Sequence, residues 1–125
     1  MACRPGEFPF GVIGLDHGHI YAICNGLLEA GATLNKVWVP DPEKVRAFLA
    51  RYPQAQAAEN EAQVLDDPDA RLIASAIRPS RRCALGLRVM EHGKDYFVDK
   101  PGMLTKEELS AAREACARTG QKYVI

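Results

Sequence analysis

Phe10-Gly11-Val12-Ile13-Gly14-Leu15-Asp16-His17-Gly18-His19-Ile20 reads as a strand, a glycine-bearing turn and the opening of a helix. The apolar run Phe10 to Gly14 is short and ends in Gly, which fits a buried strand. From Ile20 the period changes: Ile20, Ile23, Cys24, Leu27 and Leu28 recur at i, i+3, i+4, i+7 and i+8, the stripe of an amphipathic helix. Gly31 then suits the left-handed position that closes a helix.

The alternation continues outward from this unit. Leu34 to Val39 is expected as a strand, and Asp41-Pro42 starts a second helix, with Asp as N-cap and Pro at the first helical position. Val45, Phe48, Leu49 and Tyr52 give that helix its apolar face, and Pro53 ends it. A short strand near residues 55–57 and a short helix near 61–65 precede the turn Asp66-Asp67-Pro68-Asp69. Further strands are predicted over 72–77, 96–98 and 123–125, with helices over 80–92 and from Thr105 to Gly120. Thr105 with Glu108 forms a capping box. Repeated strand–helix units imply parallel strands with helices on both faces, hence an α/β doubly wound parallel sheet, Rossmann-like, as a single three-layer domain over residues 8–125 behind a tail of residues 1–7.

Composition bounds the function. The 125 residues suit one domain. Sixteen basic and sixteen acidic side chains leave no positive field for a phosphate backbone or an anionic membrane, so neither nucleic acid nor membrane is an expected partner. No apolar run approaches a membrane span, and the N-terminal residues lack a signal-peptide core. Cys3, Cys24, Cys83 and Cys116 form no CxxC pair, which fits small buried hydrophobes in a reducing, cytoplasmic compartment.

Three places can carry chemistry. The first is the turn Gly14 to His19. Between a strand and a helix, backbone N–H groups can face a pyrophosphate, and Gly is used where a Cβ would crowd it. Against GxGxxG, Gly14 is in register. Asp16 and His19 stand at the second and third Gly positions, and Gly18 falls one residue early. Asp16 either sets a carboxylate where the pyrophosphate approaches, which predicts weak affinity, or N-caps the first helix. Asp16, His17 and His19 also gather a carboxylate and two imidazoles, but the remaining histidine, His92, is predicted far away, so no metal is expected.

The second place is Asp41, 22 residues after His19, the spacing at which an acidic residue holds the adenosine ribose 2′-hydroxyl and disfavours the 2′-phosphate of NADP. NAD is therefore slightly favoured, while Lys44 and Arg46 keep NADP open; Asp41 also serves as a helix cap. The third is Val98-Asp99-Lys100-Pro101-Gly102 at a strand's carboxyl end, where open α/β sheets bind ligands. Lys100 there can hold a substrate hydroxyl or hand on a proton, or be a solvated turn residue beside Asp99.

Together these stretches resemble the N-terminal cofactor-binding domain of the glucose-fructose oxidoreductase / inositol dehydrogenase / MocA family over roughly residues 8–125. Phe10 to Leu15 matches its opening strand, and Val39 to Lys44 its second-strand end. Glu91 to Pro101 resembles its "GKHVxxEKP" signature, with Asp99 for the usual Glu. The resemblance implies a nicotinamide-dependent oxidoreductase acting on a sugar, polyol or related hydroxyl compound, with Lys100 catalytic, and Ile77, Arg78 and Pro79 like the family's "TPN" stretch lining the cofactor beside Pro101. Asp16 replaces a Gly, and Cys83 stands where a His usually follows that stretch. The family's second α/β domain, which supplies the substrate-facing sheet and a catalytic His, is absent from these residues. The expected activity is thus that of a truncated cofactor domain. Alternatives are a non-catalytic binding module that self-associates through Tyr123, Val124 and Ile125, giving a homo-oligomer, and another doubly wound enzyme such as a methyl transferase.

Overall fold

A computed structural model describes residues 2–125; Met1, the first residue of the expected tail, lies outside them. The elements run β1 (Pro9–Ile13), α1 (His19–Glu29), β2 (Thr33–Trp38), α2 (Pro42–Arg51), β3 (Gln56–Ala57), α3 (Glu61–Leu65), β4 (Leu72–Ser75), α4 (Pro79–Glu91), β5 (Asp95–Val98), α5 (Lys106–Thr119) and β6 (Tyr123–Val124). The six strands form one sheet in the order β3-β2-β1-β4-β5-β6, and every pairing is parallel. This is the doubly wound order, with the reversal between β1 and β4.

Strand periodicity divides the core in two. Phe10 and Val12 of β1, Leu34 and Val37 of β2, and Leu72 and Ala74 of β4 face the layer where Ile20, Cys24, Phe48 and Tyr52 of α1 and α2 pack. Ile13 and Ile73 turn to the other side and meet Val64, Leu65, Leu85 and Val89 of α3 and α4. Gly11 faces this second side, where a Cβ would come within 2.7 Å of Val64 Cγ1, so the bare backbone lets α3 approach the sheet. Helix α5 packs on α4, burying Ala112 and Ala115.

Local chemistry explains most boundaries. Asp41 accepts from Glu43 N at 3.0 Å, with Pro42 at the first helical position. Thr105 accepts from Glu108 N at 3.0 Å, and the Glu108 carboxylate reaches back one residue further than a standard capping box, to Leu104 N at 2.8 Å. Strand β4 is shorter than the expected 72–77, because Ala76 leaves the ladder to hold the first turn: its N–H donates to Gly14 O at 3.1 Å and its carbonyl accepts from His17 N at 3.1 Å. Helix α4 starts one residue early, at Pro79. Residues 2 and 3 of the expected tail are tied down, both N–H groups donating to Ala30 O. The four cysteines are free, and burial pushes the Cys24 thiol up to about 12, which suits a packing role. No helix of the described residues is long and apolar enough to cross a membrane.

Phe48 is fully buried and packs with Tyr21 and Tyr52 in a three-ring aromatic cluster. Phe48→Ala is expected to lower unfolding free energy by about 3–5 kcal/mol, whereas Leu104→Ala, at an exposed position, should change it by less than about 0.5 kcal/mol. Urea denaturation of the two variants checks the assignment of the core.

Candidate functional site

The first turn, the β4–α4 connection and the end of β5 meet at the carboxyl edge of the sheet. Gly14 has a φ of +97°, and a Cβ on it would lie 2.6 Å from Ile77 Cβ and 2.8 Å from Ser75 Oγ. Only glycine fits a turn pressed this closely on the end of β4. Helix α1 begins at His19 with Gly18 as its N-cap and no side-chain cap. A Cβ at Gly18 would meet nothing within 4 Å. Among the described residues, the N–H groups of Leu15, Asp16 and Gly18 donate to no protein acceptor. Three free donors in the turn that leads into α1, with open space at Gly18, fit a phosphate group, while the first N–H groups of α1 itself go to His17 Nδ1, His17 O and Gly18 O.

Asp16 is not the cap of α1. Its Oδ1 accepts from Lys44 Nζ at 3.0 Å and its Oδ2 from Arg78 N at 2.9 Å, so it ties the turn to α2 and to the start of α4. The carboxylate is thereby engaged by its own donors. Burial alone raises the Asp16 carboxyl, but the bonds from Lys44 and Arg78 and the charges of both hold it below the usual range.

The end of β5 adds a group the sequence left scattered. Asp99 is buried, with its Oδ1 3.1 Å and its Oδ2 3.2 Å from His19 Nδ1, which donates to it. Arg82, 2% exposed, stands behind: Nη2 lies 3.5 Å from Asp99 Oδ2, Nη1 donates to the carbonyls of Asp99 and Pro101, and Nε donates to Ile77 O. Lys100 N donates to Asp99 Oδ1 at 2.9 Å. His17 Nδ1 accepts from His19 N at 3.1 Å and lies 3.8 Å from Asp99 Oδ2. One ligand atom from each of His17, His19 and Asp99 therefore falls within 4.8 Å of the others, a possible three-donor metal group. The carboxylate of this group is Asp99 and not the expected Asp16, whose oxygens are taken by Lys44 Nζ and Arg78 N; His92 bonds Arg88 O and faces Asp66. Inside the protein these nitrogens already have partners, and Arg82 shares the carboxylate.

Sequence reasoning gives Arg82 no part in the candidate site and Asp99 only a place beside Lys100. Arg82 had a signal: with Leu85, Gly86 and Val89 it lies at i, i+3, i+4 and i+7 on the buried stripe of α4, and a charge on such a stripe must find a buried partner.

Two cavities flank the Asp16 latch. One, of about 310 Å³, takes in Gly14, Asp16, Asp41, Lys44, Ile77 and Arg78. The other, of about 280 Å³, takes in Asp16, His17, His19, Arg78, Pro79 and Lys100. Gly18 and Pro101 line neither, although Pro101 belongs to the segment that Arg82 holds and its bond to Lys100 is cis.

A glycine turn at the reversal of a 3-2-1-4-5-6 parallel sheet, with unpaired N–H groups and a cavity on each side, defines a dinucleotide-binding domain. The chain belongs to the GFO_IDH_MocA group, described as an oxidoreductase family with an NAD-binding Rossmann fold, whose model matches residues 8–125. Among solved structures, it is similar to a candidate oxidoreductase from Erwinia carotovora atroseptica SCRI1043, at 38% identity and a TM-score of 0.89 over 94% of this chain and 35% of that one. The WlbA dehydrogenase of Bordetella pertussis, solved with NADH and UDP-GlcNAcA, shares the fold at 21% identity and a TM-score of 0.80, over all of this chain and 36% of that one. So does biliverdin reductase from Synechocystis sp. PCC 6803, solved with biliverdin and NADP+, at 15% identity and a TM-score of 0.79, over 94% and 37%. The chain thus spans about a third of the length of these structures. No curated protein sequence matches it.

The Asp16 latch has a pH signature. The folded chain binds this proton less readily than the unfolded chain, so Asp16 adds stability above its ordinary value of 3.8, and the gain is lost as pH falls through the lower folded value. Asp16→Asn is expected to be less stable than the parent at pH 7, with the gap closing as pH falls past the ordinary value of 3.8 and through the lower folded one. Urea midpoints against pH measure it; a constant gap would contradict the latch.

Proposed function

We propose that the chain is the dinucleotide-binding unit of an oxidoreductase acting on a hydroxyl compound of the sugar or polyol kind. The observation that carries this is the Gly14 turn, whose neighbouring N–H groups at Leu15, Asp16 and Gly18 have no protein acceptor. A bound nicotinamide would supply the carbon that gives or takes hydride. The free N–H groups of Leu15, Asp16 and Gly18, in the turn before α1, would hold the pyrophosphate, with His17 and His19 beside it. Asp41, Ile77 and Arg78 border the adenosine side. Lys100, with Pro79 and the two histidines around the second cavity, is the candidate catalytic residue. Its ammonium would bind the substrate hydroxyl and share in the passage of that proton, while Asp99, fixed by Arg82, holds the Lys100 backbone. A sugar-like substrate would need a further domain to enclose it, as the family resemblance implies. Four free cysteines suit the cytoplasm.

A second reading rests on Leu104, Val124 and Ile125, the exposed large hydrophobics among the described residues. The β6 edge would then join a partner or a second copy. Light scattering distinguishes the two: a monomer at high concentration argues against the edge as an interface.

Millimolar NAD+ or NADP+ is expected to raise the Tm, since a ligand at 100 times its Kd adds about 2.7 kcal/mol to the folded state. Gly18→Ala should cost less than about 1 kcal/mol without ligand and reduce the Tm rise, because the new methyl occupies space open to a phosphate. Unchanged melting of the parent with both dinucleotides would overturn the proposal.

A further inference from the structure

The two cavities have equal formal charge, but the one of about 310 Å³ gathers more Lys and Arg side chains, four against three. Lys44, Arg78, Arg81 and Arg88 line it, against Asp16, Asp41 and Glu61. The acids are already committed. Glu61 accepts from Nε and Nη2 of Arg88 at 3.0 and 2.8 Å. Asp16 takes Lys44. Asp41 accepts Glu43 N as the cap of α2 and sits at the positive end of that helix. Arg78 and Arg81 remain with no carboxylate within 4.0 Å among the described residues. Arg46, the other cation the sequence brings to this question, pairs with Glu43 and does not line the cavity.

The strand end gives the complementary observation. A carboxylate that holds the ribose and repels a 2′-phosphate follows the second strand of such folds. Here β2 ends at Trp38 and is followed by Val39 and Pro40; Asp41 comes only at the helix cap. The position nearest the strand therefore carries no negative charge, and two unpaired guanidinium groups border the same cavity.

We propose that Arg78 and Arg81, with Lys44 beside them, form a subsite for a phosphate monoester on the adenosine ribose, so that the domain takes NADP(H) in preference to NAD(H). This rests on the dinucleotide reading and reverses the slight preference for NAD drawn from Asp41. A guanidinium presents paired donors that match phosphate oxygens, and each charge-assisted contact of this kind is worth roughly tenfold in affinity.

Isothermal titration of the chain with adenosine 2′,5′-bisphosphate, 5′-AMP, NADP+ and NAD+ tests it. The two 2′-phosphorylated compounds should bind roughly tenfold or more tightly than their counterparts, with the advantage shrinking as salt is added. The Arg78→Ala/Arg81→Ala variant should lose that advantage, so that the 2′-phosphorylated and unphosphorylated members of each pair bind it with equal affinity. Both side chains are exposed, and Asp16 keeps its hydrogen bonds from Lys44 Nζ and from the backbone N–H of Arg78 while losing only the Arg78 charge, so the fold and the latch persist. Equal affinities, or a preference for NAD+, overturn the subsite and leave the dinucleotide reading standing. A preference that survives the double substitution overturns its assignment to these arginines. Failure of all four compounds to bind overturns the dinucleotide reading, and this inference with it.

Discussion

The close approach of Gly14 to the end of β4 is the constraint on which the site depends. With Ile77 Cβ and Ser75 Oγ inside 3 Å of where its Cβ would be, the turn after β1 lies directly on the next strand. Ala76 then bonds the turn on both sides, through Gly14 O and His17 N. That seat sets where α1 begins and leaves the N–H groups of Leu15, Asp16 and Gly18 without protein acceptors at the sheet's reversal point. Asp16 completes the arrangement by reaching Lys44 and Arg78 N, which links three connections across the edge.

A second hub sits one strand over. Arg82 is almost fully enclosed, and its donors are distributed over Ile77 O, Asp99 O, Pro101 O and the Asp99 carboxylate. A buried guanidinium with this many acceptors fixes the turns it touches, because losing one partner would strand a charge away from water. Asp99 passes that rigidity on to His19 and to the backbone of Lys100. The residue at the centre of the candidate chemistry is thus held through its neighbour, while its own side chain remains exposed.

Much of the fold was legible because hydrophobic period and capping agree. The Ile20–Leu28 stripe, Asp41-Pro42, Thr105 with Glu108, and Gly120 each predict an element that the structure contains. Strand ends were less legible: Ala76 and Ile77 are apolar enough to read as strand, yet Ala76 is drawn off by the Gly14 turn. The site was legible one segment at a time. Spacing within the turn placed Asp16 against a pyrophosphate, but its partners lie 28 and 62 residues away, at Lys44 and Arg78. The contact of His19 with Asp99 spans 80 residues. No local pattern reports such pairs, because the sheet order brings them together.

In the proposed function, the N–H groups of Leu15, Asp16 and Gly18 in the turn before α1 seat a dinucleotide pyrophosphate. Amide-resolved NMR titration with NADP+ and NAD+ tests this most directly. The largest shifts are expected at Leu15, Asp16 and Gly18, with smaller ones at Ile77 and Arg78 on the adenosine side. Saturable shifts confined to another face, or none at these amides, would contradict the account.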